Sequence, residues 1–228
     1  MKQTILAVIF CIFLTSINGN SQSNSSSYLN FGVRSLSVQS LNDALKSEGL
    51  AELKPIAFSV SGFWDNGFAI WDEPFVFNGS LSFLSSRNKE DLNLTCLWGL
   101  GFSLDFGYQI WKNDKMFLFP FVNLTYMVPY LKTQQKTDAQ SFGAVYNQPL
   151  LERSFTNNGE LDGALGLTYC FRIGKRDMLG IRGGYNYSIL RSKWRYSDKK
   201  IDFPKMDCRG WEIGIIWVTN VKSKKQKE

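Results

Sequence analysis

The stretch LNLTCLWGLGFSLDFGYQI, residues 92 to 110, carries an apolar or aromatic side chain at every even position. Leu92, Leu94, Cys96, Trp98, Leu100, Phe102, Leu104, Phe106, Tyr108 and Ile110 alternate with odd positions that are mostly Asn, Thr, Gly, Ser, Asp and Gln, Leu97 excepted. A period of two belongs to the β-strand, whose successive side chains point to opposite faces. One face of this ribbon is therefore apolar along its whole length, and something apolar has to cover it.

The same pattern returns in the second half of the chain. In LDGALGLTYCFRI, Leu161, Leu165, Leu167, Tyr169, Phe171 and Ile173 stand opposite Asp162, Ala164, Gly166, Thr168, Cys170 and Arg172. In LGIRGGYNYSI, Leu179, Ile181, Tyr185, Tyr187 and Ile189 oppose Arg182, Asn186 and Ser188, and WEIGIIW sets Trp211, Ile213, Ile215 and Trp217 against Glu212, Gly214 and Ile216. In MFLFPFVNLTYM the two faces are hard to tell apart. Alternation and turn residues together predict eight strands, at about 28 to 36, 55 to 64, 74 to 85, 92 to 111, 115 to 128, 160 to 173, 178 to 190 and 209 to 221.

Short links, WKNDK (111 to 115) and GKRDM (174 to 178), alternate with long ones near 37 to 54, 129 to 159 and 191 to 208, while DNGFAIWDEP and RNKED fit that scheme poorly. Hairpins with short turns at one end and long loops at the other make an up-and-down antiparallel meander, and eight strands can close it into a barrel with no free edge. One helix is expected in the first long link, SLNDALKSEGL (40 to 50), with Ser40 or Asn42 as cap, Leu41, Ala44 and Leu45 at helical spacing and Gly49 as terminator.

Lys2 followed by the apolar run ILAVIFCIFL (5 to 14) and a polar stretch reads as a secretory signal peptide over 1–21, cleaved before Gln22. Residues 22–27 form a Ser/Asn-rich flexible lead, 28–221 the β-barrel, and 222–228 a basic tail. No later run approaches the 18 or more apolar residues of a membrane helix. The mean hydropathy of -0.18 suits spanning strands, of which only one face meets lipid. Past the signal segment the cysteines are Cys96, Cys170 and Cys208. Their spacing implies no disulfide framework, one pair is the most they could form, and Cys96 and Cys170 read as packing residues.

A barrel with an apolar face can turn it inward around a ligand or outward against lipid. The polar faces taken together hold Arg34, Asp105, Asp162, Arg172, Arg182 and Glu212, three cations and three anions, among many glycines and hydroxyls. Small side chains and balanced charge suit a narrow lumen in which ions pair across the interior. A water-facing side would carry lysine, and the lysines gather in loops and tail. Trp64, Trp71, Trp111 and Trp217 fall near the short-turn end, and Tyr130, Trp194, Tyr196 and Trp211 near the long-loop end, as two interfacial girdles would.

A signal segment, strands ending in aromatics and a last strand near the C-terminus resemble the small outer-membrane β-barrel proteins of Gram-negative bacteria, particularly those of the Bacteroidota. The resemblance covers most of 28 to 221 and is architectural. One departure is that Trp217 is followed by VTNVKSKKQKE, whereas many such barrels end on an aromatic. It implies an all-β, eight-stranded transmembrane barrel in the cell outer membrane, in contact with outer-membrane lipid including lipopolysaccharide. Its long extracellular loops would carry a structural, adhesive or envelope-partner-binding role.

The chain has no histidine, which removes Ser-His-Asp and Cys-His catalysis and histidine metal sites. No cofactor is expected, and Asp105, Asp162 and Glu212 share their faces with arginines, so charge pairing is favoured over catalysis. Asn-x-Ser/Thr triplets begin at Asn24, Asn78, Asn93, Asn123 and Asn186, four of them inside expected strands where a glycan could hardly be attached. The net charge of +6 comes from loop and tail lysines and not from a continuous basic face, which argues against a nucleic-acid partner. Two rival readings are a secreted lipocalin-like carrier of an apolar ligand and a lipid-modifying barrel enzyme using Asp105 or Asp162. GFW at 62 to 64 is similar to the lipocalin glycine-x-tryptophan, but it lies on the second strand and no C-terminal helix follows.

Overall fold

The computed structural model describes residues 27–63, 69–72, 75–90, 93–113, 115–135, 151–174, 177–197, 199–201 and 203–219. The expected signal segment, the lead except Ser27, the basic tail and Trp64 lie outside these residues.

Eight strands form the wall: β1 (Ser27–Ser35), β2 (Ile56–Phe63), β3 (Phe75–Glu90), β4 (Asn93–Tyr108), β5 (Met116–Gln135), β6 (Glu160–Arg172), β7 (Met178–Leu190) and β8 (Gly210–Thr219). Each pairs antiparallel with the next, and β8 pairs back to β1 from Ser27↔Thr219 to Arg34↔Glu212. The result is an eight-stranded closed antiparallel barrel with one short helix, so the wall keeps no open edge.

Alternation decides the two surfaces. Ile181 is 59% exposed, Ile215 57% and Leu100 56%, whereas the inward Arg182 and Asp105 are each 3% exposed. Phe31, Phe58, Leu81, Phe106, Leu165 and Tyr187 also face out. The apolar face of each ribbon is thus the outside of the barrel, the reverse of a soluble carrier's arrangement.

The strands differ in height. β3 and β4 form one uninterrupted ladder up to Glu90↔Asn93, so RNKE (87 to 90) belongs to the upper end of β3 and not to a separate link. β5 runs to Gln135, and a further strand, Leu151–Asn157, pairs with its upper end. That strand in turn pairs with Trp194–Tyr196. Alternation ends the third strand at 85 and the fifth at 128, because polar residues begin there. Those polar residues belong to a collar that continues the sheet above the barrel. At the opposite end, DNGFAIWDEP contains a short strand, Ala69–Asp72, folded back on β3.

Inside the collar sits α1 (Gln39–Ser47). The expected Ser40 or Asn42 cap is not used, since the helix starts after Val38 with no side-chain cap. Asn42 instead donates from Nδ2 to the Leu53 carbonyl at 2.9 Å and accepts the Leu53 N–H on Oδ1 at 2.8 Å, which ties the helix to the returning chain. Gly49, at φ +68°, ends the helix in the left-handed conformation that a side chain resists.

Candidate functional site: an ion-paired interior under an apolar cap

The lumen is built in three layers. Nearest the turns, Tyr28, Val76, Phe117, Phe119, Phe121, Cys170, Met178, Ile216 and Val218 form an apolar plug. This explains why MFLFPFVNLTYM shows no contrast between its faces. Phe117, Phe119 and Phe121 fill the interior while Val122, Leu124 and Tyr126 face out.

Above the plug lies the charged layer. Arg182 Nη2 meets Asp105 Oδ1 at 2.6 Å, and its Nε lies 3.5 Å from Glu212 Oε1. Arg34 Nη2 lies 3.2 Å from Asp162 Oδ2. Asn123 donates to Asp105 Oδ1 at 2.8 Å, Thr125 donates to Asn123 Oδ1 at 2.8 Å, and Ser103 and Thr125 share a 2.7 Å bond. Phe121 completes the socket, its ring centroid 3.4 Å from the Arg182 guanidinium carbon. Such a cation over a ring gains electrostatic stabilisation when water is excluded. The ring has room because Gly166 stands beside it, where a Cβ would run into Phe121 and the Gly183 carbonyl. Each charge here has an ionic partner, the condition under which ions tolerate burial, while Arg34 Nε and Asp162 Oδ1 keep no hydrogen-bond partner.

Five of the six charged residues singled out from sequence, Arg34, Asp105, Asp162, Arg182 and Glu212, therefore lie in this layer. Arg172 does not. Thr168 is the cross-strand partner of Arg182, so Arg172 sits four residues, about 13 Å of strand, nearer the turns. There it is half-buried opposite Met178. Strand parity assigns a face to Arg172 but carries no information on its height.

The third layer is the cap. Leu36, Val38, Leu41, Leu45, Leu53, Leu84, Leu97, Met127, Leu131, Phe155, Trp194, Met206 and Cys208 form one buried cluster, built from the first and last long loops and the collar. Leu97, the one bulky residue on the polar face of its strand, is 0% exposed there. Trp194 corrects the girdle expectation. It is fully buried at the centre of the cap and donates from Nε1 to the Pro204 carbonyl at 2.9 Å. The remaining aromatics divide by height. Trp111 and Trp217 are exposed near the turns and Trp211 near the loops. Tyr130, half-buried, stacks on Trp98 with centroids 4.8 Å apart. Trp71 lies on Ala69–Asp72. Signals for the cap were present in the amphipathic pair Leu41 and Leu45 and in Leu97, but nothing local placed them together.

Among the described residues the cysteines Cys96, Cys170 and Cys208 are free thiols. Cys170 belongs to the plug and Cys208 to the cap, where burial pushes its thiol well above the usual range. Asn78, Asn123 and Asn186 are buried, so three of the five triplets point their asparagines into the barrel. Asp105 and Asp162 have their bonded oxygens committed to arginine and amide donors.

The fold and interior define a closed β-barrel, apolar outside, with a filled and ion-paired lumen. No family model matches the chain, and no curated protein does. Among solved structures it is similar to a major outer membrane protein from Thermus thermophilus, at 11% identity and TM-score 0.46, covering 85% of this chain and 99% of that one. It is also similar to Ail, the attachment invasion locus protein of Yersinia pestis, at 14% identity and TM-score 0.33 over 85% and 94% of the two chains. A third is the N-terminal β-barrel domain of Pseudomonas aeruginosa OprF, at 11% identity and TM-score 0.33 over 86% and 98%. Likenesses this slight say nothing of role.

Proposed function

We propose that the mature chain, freed of residues 1–21, is a non-enzymatic outer-membrane barrel of the kind found in Bacteroidota. Its collar and long loops would face outward and serve a structural, adhesive or envelope-partner-binding role, with lipopolysaccharide as the lipid neighbour of the loop lysines. The observation that carries the reading is the inversion of the two surfaces, isoleucine and leucine outside and arginine–aspartate pairs within. Height supports it. From Trp98 to Tyr108 the outward face of β4 runs ten residues, about 33 Å of strand, which at a tilt of about 40° spans about 25 Å, the height of a barrel's apolar band. The plug and the cap argue against a conducting pore, since both close the lumen.

The test is to express the chain in a Gram-negative host, fractionate the membranes and treat intact cells with an impermeant amine reagent. Recovery in the outer membrane with heat-modifiable gel mobility and labelling of Lys193, Lys199 and Lys200 is expected. A chain that stays soluble without detergent would favour the carrier instead. A single substitution sharpens the point. Ile215→Arg puts a charge on the outer face of β8 and is expected to cost about 2–4 kcal/mol of folding free energy in phosphatidylcholine vesicles. Glu90→Arg, on the collar, is expected to cost almost nothing. Equal effects at the two positions would contradict a lipid-facing wall.

A further inference from the structure

At the junction of lumen and cap, one carboxylate oxygen from each of Glu160 and Asp162 and the Sγ of Cys208 lie within 4.8 Å of one another. All three residues are buried, at 1%, 1% and 0% exposure. Each carboxylate has one oxygen held and one oxygen free. Glu160 accepts from Asn157 Nδ2 on Oε1 at 2.8 Å, and its Oε2 meets no donor in hydrogen-bonding geometry. Asp162 is held by Arg34 on Oδ2 at 3.2 Å, the Cys208 thiol and the Ser188 hydroxyl lie close to its carboxylate, and its Oδ1 meets no donor in hydrogen-bonding geometry. An unsatisfied buried carboxylate oxygen is costly, and a cation bound among the two carboxylates and the thiol sulfur would relieve that cost.

From this arrangement we infer that Glu160, Asp162 and Cys208 form a binding site for a borderline divalent transition-metal ion of the zinc class. The ligand chemistry selects the class. A thiolate with two carboxylates suits Zn²⁺ or Co²⁺, whereas Ca²⁺ and Mg²⁺ ask for more oxygen ligands and no sulfur. With metal–oxygen bonds of about 2.0 Å and a metal–sulfur bond of about 2.3 Å, tetrahedral ligands sit about 3.3–3.5 Å apart. The set therefore closes by little more than an ångström, with water as the fourth ligand.

Charge also balances. Arg34 and Asp162 neutralise each other, and the ion's two positive charges are met by the Glu160 carboxylate and the Cys208 thiolate, the protons displaced on binding going to solvent. The surroundings supply the outer contacts that orient metal ligands. Asn157, which holds Glu160, is fixed by accepting the Gly159 N–H on Oδ1 at 2.7 Å. Cys208 is placed by its own N–H, donated to Ser188 Oγ at 3.0 Å, while Ser188 donates to Asp207 Oδ1 at 3.0 Å. The Asp207 carbonyl takes the Ser37 N–H at 3.0 Å, so the site stands where the last loop is joined to the first. An ion here would staple both loops to β6, whichever solvent surrounds the wall.

The test is titration of the full chain, purified in detergent and stripped with chelator, with CoCl₂. One equivalent is expected to raise a near-ultraviolet thiolate-to-cobalt charge-transfer band, which ZnCl₂ abolishes by displacement. Cys208→Ser is expected to remove the band, and Cys96→Ser and Cys170→Ser to leave it. Asn157→Ala is expected to weaken Zn²⁺ binding about 10–100-fold, the range typical of an outer contact. Folding of each variant is read from heat-modifiable mobility. Absence of the band in the folded wild type overturns the assignment whatever the variants do, and so does a band that survives in Cys208→Ser.

Discussion

Arg182→Met is expected to lower the unfolding free energy by about 3–5 kcal/mol, the usual cost of removing one partner from a buried ion pair. The side chain volume is nearly kept, so the loss is electrostatic. Asp105, at 3% exposure, would lose its 2.6 Å ionic partner and keep the amide donation from Asn123. Glu212 would fare better, because its side chain is 20% exposed and water can reach it. The stacking of the guanidinium on Phe121 disappears as well. Urea unfolding in vesicles, followed by gel mobility, gives the number. Asp105→Asn added to Arg182→Met should recover more than half of the loss, because it removes the charge left alone. A single variant within about 1 kcal/mol of wild type, or a double variant no better than the single, would mean that the charged layer is solvated.

How much of this was legible in the sequence depends on the range of the interaction. The eight wall strands were, because alternation and turn residues are local signals and a closed barrel keeps each residue on one side of the wall. Parity put Arg34, Asp105, Asp162, Arg182 and Glu212 on the polar faces, and their balanced charge with the scarcity of lysine there argued for turning those faces inward. Height was not legible. Arg172 shares a face with Asp162 yet stands ten residues further along β6, and strand parity carries no information on which neighbour's rung lies opposite. The layers of the lumen were hidden for a related reason. Phe117, Phe119 and Phe121 blur the alternation of β5, since a plug is apolar inside a wall that is apolar outside. Trp194 was misplaced because a tryptophan near a strand end reads the same whether it meets lipid or a neighbouring loop. Glu160 and Cys208 lie 48 residues apart in the chain, and only closure of the barrel with the folding back of the last loop brings them together.

The cap offers the other large effect. Trp194→Ala is expected to cost about 3–5 kcal/mol within the cap, the range for truncating a buried aromatic, while the barrel beneath stays folded. Trp194 is the largest fully buried side chain among the described residues. It packs with Leu36, Leu41, Leu45, Leu131 and Met206 in one cluster drawn from separate segments. Removing it also leaves the Pro204 carbonyl without its 2.9 Å donor. The collapse of the cavity is limited on one side by the collar, whose Leu97 and Leu131 are fixed by the β4–β5 ladder. The loops, held by fewer sheet bonds, should yield first. Hydrogen exchange is the appropriate measurement. Faster exchange is expected in residues 36–55 and 194–209, with the amides of β7 and β8 protected as in the wild type. Uniform loss of protection across the wall would show that cap and barrel unfold as one unit, and unchanged exchange in the loops would show that the tryptophan does not hold them.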